Sequence, residues 1–386
     1  MTNQVRSACA ILTLCLAGFC GSAHGDVTKG VLSGHVYDQY NCAPVAGLTV
    51  KLTPSDKLEN QSQLITTTDG DGDFEAKDRE LGDYYVSLFQ GLSQLYGHVI
   101  SFRGENQTMI ALKPLPSGRE TKTVGCVTPV ALALSSTNDL IVLDSHLGIL
   151  QFSTKTSTSR RLAEFRSSWQ PVDLAIGTSE GQLHLFVNLV QGSVGQLMQY
   201  SQSGRFETSW FSFSPLSGLA VDSSAGRVYT AAWGKDQIFQ QSFPSDHNSR
   251  LESFSVSSGH TDWGPLAIDS KGAVLYAAEQ FKGEIFAFNL RSSSMNLVAH
   301  GIGQPSAMEF DATGKRLLVA DADGRDVWVV PVSSQAGRPS VLFKARILES
   351  PSGIAVSNDG TVWVGDQRAH ALFQFDSRGH LLKTIK

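Results

Sequence analysis

One phrase recurs six times in this 386-residue chain and limits its fold more than any other feature. Its clearest form runs from Ser352 to Asp366: an apolar alternation, a polar turn through Gly360, a second alternation and a closing acid. Closely similar phrases begin at Gly218, Pro265 and Ala307, and looser ones at Ala131 and Asp173. Aligned on one shared position (Ala133, Ala175, Ala220, Ala267, Glu309 and Ala355) the copies lie 42, 45, 47, 42 and 46 residues apart. Alternation on both sides of an Asn-Asp-Gly turn means two short strands. A third strand follows, as at Ile149–Phe152, Ile238–Gln241, Ile285–Asn289, Val327–Val330 and Leu372–Asp376, and then a fourth, as at His380–Ile385. Four strands repeated at a period near 44 are the sequence signature of a β-propeller. Residues 128–386 are therefore expected to form six blades, closed either by a simple meeting of the last with the first, without strand exchange, or with the short Thr121–Val127 segment added to a rim.

The segment before the repeats lacks helical periodicity. Strands are expected at Gly34–Asp38, Leu48–Leu52, Leu64–Thr68, Gly82–Leu88 and Gln107–Leu112, with turn residues between them. Short strands punctuated this often mean a β-sandwich over 27–113. The whole chain is thus expected to be all-β, a small β-sandwich plus a six-bladed β-propeller, joined by a Pro/Gly/Ser-containing linker at 114–127. Residues 1–25 read as a secretory signal: Arg6, an apolar run from Ala8 to Phe19, and Ala23-His-Gly25 before Asp26. That run is too short to span a bilayer, so no membrane insertion is expected after cleavage, and a periplasmic or secreted location is. Cleavage removes one cation and no acid, taking the net charge from −5 to −6. A negative chain argues against nucleic acid or an anionic membrane as partner. Only Cys42 and Cys126 lie beyond the signal. In an oxidising compartment they are expected to pair, closing a loop worth at most about 4–5 kcal/mol.

Both regions resemble known families. Gly34-x-Val-x-Asp38, Pro44-x-x-Gly47-x-x-Val50-x-Leu52, Asp69-x-x-Gly72-x-Phe74 and Leu81-Gly82-x-Tyr84-x-Val86 resemble the carboxypeptidase-regulatory-like (prealbumin-like) sandwich, whose members are usually non-catalytic modules. The Pro351-x-Gly-Ile-Ala-Val356 and Val362-Trp-Val-Gly-Asp366 phrases resemble NHL-repeat propellers and, more broadly, the gluconolactonase/senescence-marker family. Resemblance to virginiamycin B lyase is at the level of the repeat. Gluconolactonase-type enzymes hold a divalent metal at the channel mouth with acid and amide side chains at blade entries. Here those positions carry Ser or Gly (Ser217, Ser306, Ser352, Gly264), which speaks against that chemistry.

The candidate site follows from propeller geometry. Loops entering the innermost strands and the turns between second and third strands open on one face. They bring Trp169, Asp173, Trp233, His260, Asp262 and Trp263 to that face, and flat indoles beside directional polar groups suit a carbohydrate, peptide or protein ligand. Acids that recur at the end of the second strand (Asp144, Glu279, Asp321, Asp366) are expected to be structural acceptors for turn amides. Asp173 and Glu309 depart from the repeat and are candidate ligand-binding groups. Asp69, Asp71, Asp73 and Glu80 have calcium-loop spacing, but Phe74 stands where such a loop needs Gly, so a hairpin turn is expected and no cofactor is assigned. The function expected is an exported binding or scaffolding protein. The alternatives are a metal-dependent hydrolase or lyase using Asp173 and Glu309, and a structural component of an envelope complex.

Overall fold

In the computed structural model the chain forms strands, turns and loops, with no helix among the described residues. Those residues are 29–38, 42–55, 62–80, 82–102, 108–112, 127–155, 158–165, 168–243, 251–254, 259–260, 262–311, 315–332, 339–344 and 346–386. The signal-like stretch 1–25 and nearly all of the linker, Cys126 included, lie outside them. Two compact units are formed, residues 1–125 and 126–386.

Among the described residues the first unit has seven strands: β1 Lys29–Asp38, β2 Thr49–Pro54, β3 Leu64–Thr67, β4 Asp73–Glu80, β5 Gly82–Gln90, β6 Ser93–Phe102 and β7 Thr108–Leu112. One sheet has the order β4-β1-β7, with β7 parallel to β1, and the other has β3-β2-β5-β6. Strict alternation drives the sandwich. Leu32 and Val36 of β1 and Phe74 and Ala76 of β4 face Val50 and Leu52 of β2 and Tyr84, Val86 and Leu88 of β5 in one core. Cys42 is disulfide-bonded. Two strands exceed the expectation. β4 begins where the expected strand and its turn ended, at Asp73, and was not expected as a strand of its own, and β6 was not foreseen at all, because Gly97 interrupts its pattern. A side chain at Gly97 would strike the Tyr85 hydroxyl, so the glycine makes room for the Tyr85 ring to cross the strand.

The second unit is the six-bladed propeller. Each blade is a four-stranded antiparallel sheet made from consecutive strands. The innermost strands are Pro129–Leu134, Gln170–Ser179, Leu216–Asp222, Trp263–Asp269, Pro305–Asp311 and Pro351–Val356. Each contacts the innermost strand of the next blade, and the sixth contacts the first, so the ring is closed. Between each pair of neighbouring blades lies one hydrophobic cluster. The cluster between blades six and one joins Leu132, Val142 and Leu150 to Ala355, Trp363 and Leu372, so this junction is built like the other five. Burying such side chains contributes about 1.5–3 kcal/mol each, and among the described residues no strand crosses the junction.

Candidate functional site: an acid-bearing channel

Every innermost strand enters its blade through a β-bulge, at Pro129/Ala131, Pro171/Asp173, Leu216/Leu219, Trp263/Leu266, Pro305/Ala307 and Pro351/Gly353. The bulge re-aims the residues that follow and turns the shared repeat position inward. Ala133, Ala175, Ala220 and Ala267 line a central channel of about 230 Å³, because only small side chains fit where six strands converge. Glu309 lines it from the same position in blade five, and Asp173 lines it from blade two, two residues ahead of its own marker. Blades two and five stand opposite each other in a ring of six. The two-residue offset corresponds to about 7 Å along a strand. Among the described residues, the remaining polar side chain of the lining is Ser270, and no Lys, Arg or His contributes to it.

Asp173 stands where blades one, four and five carry Ala131, Pro265 and Ala307 and where blades three and six carry glycine. Its counterparts in blades three and six are Gly218 and Gly353. A Cβ there would collide with the next blade's backbone, at Gly264 O and at Leu132 N and Ala131 C. In blade two a side chain occupies that gap. One Asp173 oxygen accepts from Leu174 N (2.8 Å) and the other from Leu219 N in blade three (2.7 Å). Its strand partner Asn188 is fully buried and donates to Ser217 O and Thr230 Oγ1, both at 2.8 Å. Glu309 is different: no hydrogen-bond donor reaches its carboxylate among the described residues.

Burial raises both acids. Asp173 is pushed up to about 7 by loss of hydration, which its two backbone bonds only partly offset. Glu309 is pushed up to about 8, first by burial and then by the negative charges of Asp173 and Asp311. Both side chains touch channel space and count as half-buried. Protein nevertheless surrounds that space, so their hydration is that of an interior rather than a surface. Asp311 is itself tied to Arg316 at 2.9 Å.

The blade-entry residues explain their own composition. Ser217 Oγ donates to Trp263 O in the next blade (2.6 Å), Ser306 Oγ to Pro351 O (2.7 Å), and Ser352 Oγ to Pro129 O across the blade six–one junction. Serine at these positions stitches blade to blade. The recurring acids behave as expected. Asp321 accepts from Gly303 N, Gln304 N, Asp323 N, Gly324 N and Trp328 Nε1. Asp366 and Asp144 hold their turns and entry loops in the same way, and Glu279 accepts from Lys282 N.

The expected indole cluster is only partly present. Trp263 is fully buried, packed edge-on against Phe286 and Phe288, so it is a core residue and not a ligand-binding one. It opens the strand just before the bulge, and this turns its ring between blades three and four. Trp169 and Trp233 are half-buried, the latter edge-on to Phe281. His260 covers Trp263 and Phe286, with centroids at 5.4 and 4.5 Å, and lies 3.4 Å from Lys282 Nζ. Asp262 uses its carbonyl to accept from Gln280 N. In the sandwich, Asp69 Oδ1 accepts from Asp71 N and Asp73 N, an Asx turn. Asp73 pairs with His35 at 2.7 Å, and Glu80 lies at the far end of β4 opposite Lys29. No group of three or more His, Cys, Asp or Glu among the described residues could hold a metal ion.

The fold and channel define a six-bladed β-propeller preceded by a β-sandwich. The family model for the SMP-30/Gluconolactonase/LRE-like region matches residues 266–386, blades four to six. No curated protein matches the chain. Among solved structures, one of a nidogen/laminin complex is similar at TM-score 0.54 and 14% identity, covering 64% of this chain and 92% of that one. Virginiamycin B lyase from Staphylococcus aureus is similar at 0.50 and 11%, covering 67% and 84%. A Bacteroides thetaiotaomicron protein of unknown function is similar at 0.52 and 8%, covering 91% and 99%, a span longer than the propeller. These likenesses establish the fold.

Proposed function

We propose that this is an exported binding protein whose propeller holds a carbohydrate, peptide or protein ligand on the face where the blades are entered, centred on the channel mouth. The observation that carries this reading is a channel lined by two acids and, among the described residues, by no cation to neutralise them. Half-buried Trp169 and Trp233 add apolar surface to the same face. The sandwich resembles prealbumin-like modules and serves as an attached non-catalytic domain. Pairing of Cys42 with Cys126 and removal of residues 1–25 complete the exported form. Carbohydrate and peptide arrays probed with wild type, Trp169→Ala and Trp233→Ala test the reading. A ligand retained by wild type and lost at least tenfold in either variant supports it; an array on which wild type retains nothing counts against it.

Asp173 and Glu309 also favour one competing reading, a metal-dependent hydrolase or lyase. The serines that such a site would need as ligands instead donate to neighbouring carbonyls. Elemental analysis separates the two. Stoichiometric calcium or zinc, lost in Asp173→Ala, would replace binding with metal chemistry.

A further inference from the structure

Glu309 faces the channel with no donor to its carboxylate among the described residues. The carboxylate is half-buried and reaches channel space, where reduced hydration makes its charged form costly unless a partner is supplied. A ligand that brings both N–H donors and positive charge removes that cost. Leu132, Ala133, Ala175, Leu266 and Ile354 form an aliphatic part of the channel wall, beside a lining surface that is mainly polar. The channel volume of about 230 Å³ is smaller than the roughly 300–1,000 Å³ of ordinary small-molecule sites. A narrow methylene chain with a charged nitrogen at its tip matches these walls better than a sugar ring does. A divalent metal matches poorly, because calcium takes about six to eight oxygen ligands, zinc about four, and both Asp173 oxygens already accept backbone N–H groups.

We propose that the channel binds a primary alkylammonium group, with the nitrogen on Glu309 and the methylene chain along the aliphatic wall. This rests on the reading of the propeller as a binding protein and names the chemistry of its centre. The group can arrive as a free alkylamine or as a lysine side chain of a bound protein. The charges that bear on Glu309 are Asp173 from blade two and Asp311 on its own strand, the latter paired with Arg316. Proton and ammonium therefore compete for the channel. Alkylammonium groups keep their proton to about pH 10, so binding strengthens from pH 6 to pH 9.

Calorimetry at pH 6 and pH 9 with butylammonium, 1-butanol and Nα-acetyl-lysine methylamide tests the inference. Butylammonium or the lysine derivative is expected to bind, more tightly at pH 9, while butanol is inert. Glu309→Gln is expected to weaken amine binding at least tenfold. Ala175→Leu, which fills the channel and leaves both acids in place, is expected to do the same. Preference for the lysine derivative assigns the site to a protein side chain, and preference for butylammonium to a free amine. Butanol binding as well as butylammonium, or undiminished binding by both variants, would overturn the inference. Absence of any amine binding would also overturn it. If an array ligand still depends on Trp169 or Trp233 in that case, the binding reading stands without the channel.

Discussion

The Asp173 carboxylate in blade two accepts a 2.7 Å hydrogen bond from the backbone N–H of Leu219 in blade three. A side chain that touches the channel therefore also couples two blades. Asp173→Ala leaves the Leu219 amide without its acceptor, at a cost of about 1–3 kcal/mol. Asp173→Asn keeps one acceptor oxygen and is expected to recover most of that loss. Urea unfolding at pH 6 checks both; equal stability of Ala and wild type would remove the coupling role.

Asp321 gathers five donors and is almost fully buried. Asp321→Asn turns an NH₂ group toward N–H donors and is expected to be nearly as damaging as Asp321→Ala. Both should lose about 3 kcal/mol or more, since several amides go unpaired together. Thermal and urea unfolding of the pair provide the comparison, and a benign Asn variant would show that charge and acceptor count matter little here.

Glu309 makes stability depend on pH in an unusual direction for an acid. Its folded pKa, about 8, lies above the ordinary 4.5. Between those values the folded chain keeps a proton that the unfolded chain has lost. The benefit is full below about pH 4.5 and disappears as pH rises to about 8. Asp173, raised from 3.8 to about 7, adds to the same trend over its own window. Glu309→Gln is expected to flatten the decline and to be more stable than wild type at pH 8.5 by a few kcal/mol at most. Melting curves from pH 5 to 9 measure this, and parallel curves for the two proteins would contradict it.

The tryptophans should separate by burial. Trp263→Ala empties a fully enclosed site among Phe286 and Phe288 and is expected to cost about 3–5 kcal/mol. Trp233→Ala loses an edge-on contact with Phe281 and should cost about 0.5–1.5 kcal/mol. Equal losses on chemical denaturation would mean that Trp233 is as much a core residue as Trp263.

The repeats explain what could be read in advance. Six copies align against one another inside a single chain, so blade number, strand order and the odd positions Asp173 and Glu309 were all visible. The roles of Asp144, Asp321 and Asp366 followed because a turn acid has few things to do besides accept amides. Trp263 misled because alternation locates a residue on a strand, whereas a one-residue bulge decides which way that residue points. The serine stitches escaped notice because their acceptors are backbone carbonyls 45 or more residues away, in the next blade. β6 was hidden by Gly97, whose reason is a ring on the neighbouring strand.

The junction between blades six and one carries the same kind of core as the other five, a serine stitch and, among the described residues, no shared strand. The ring has no privileged starting point. A circular permutant cut in any inter-blade loop and rejoined between blades six and one would rebuild every sheet from unbroken sequence. For the same reason the architecture can gain or lose a blade by copying one contiguous block, with no rewiring of the survivors. Asp173 and Glu309 stay opposed only while the ring counts six, so that number is itself part of the channel's design.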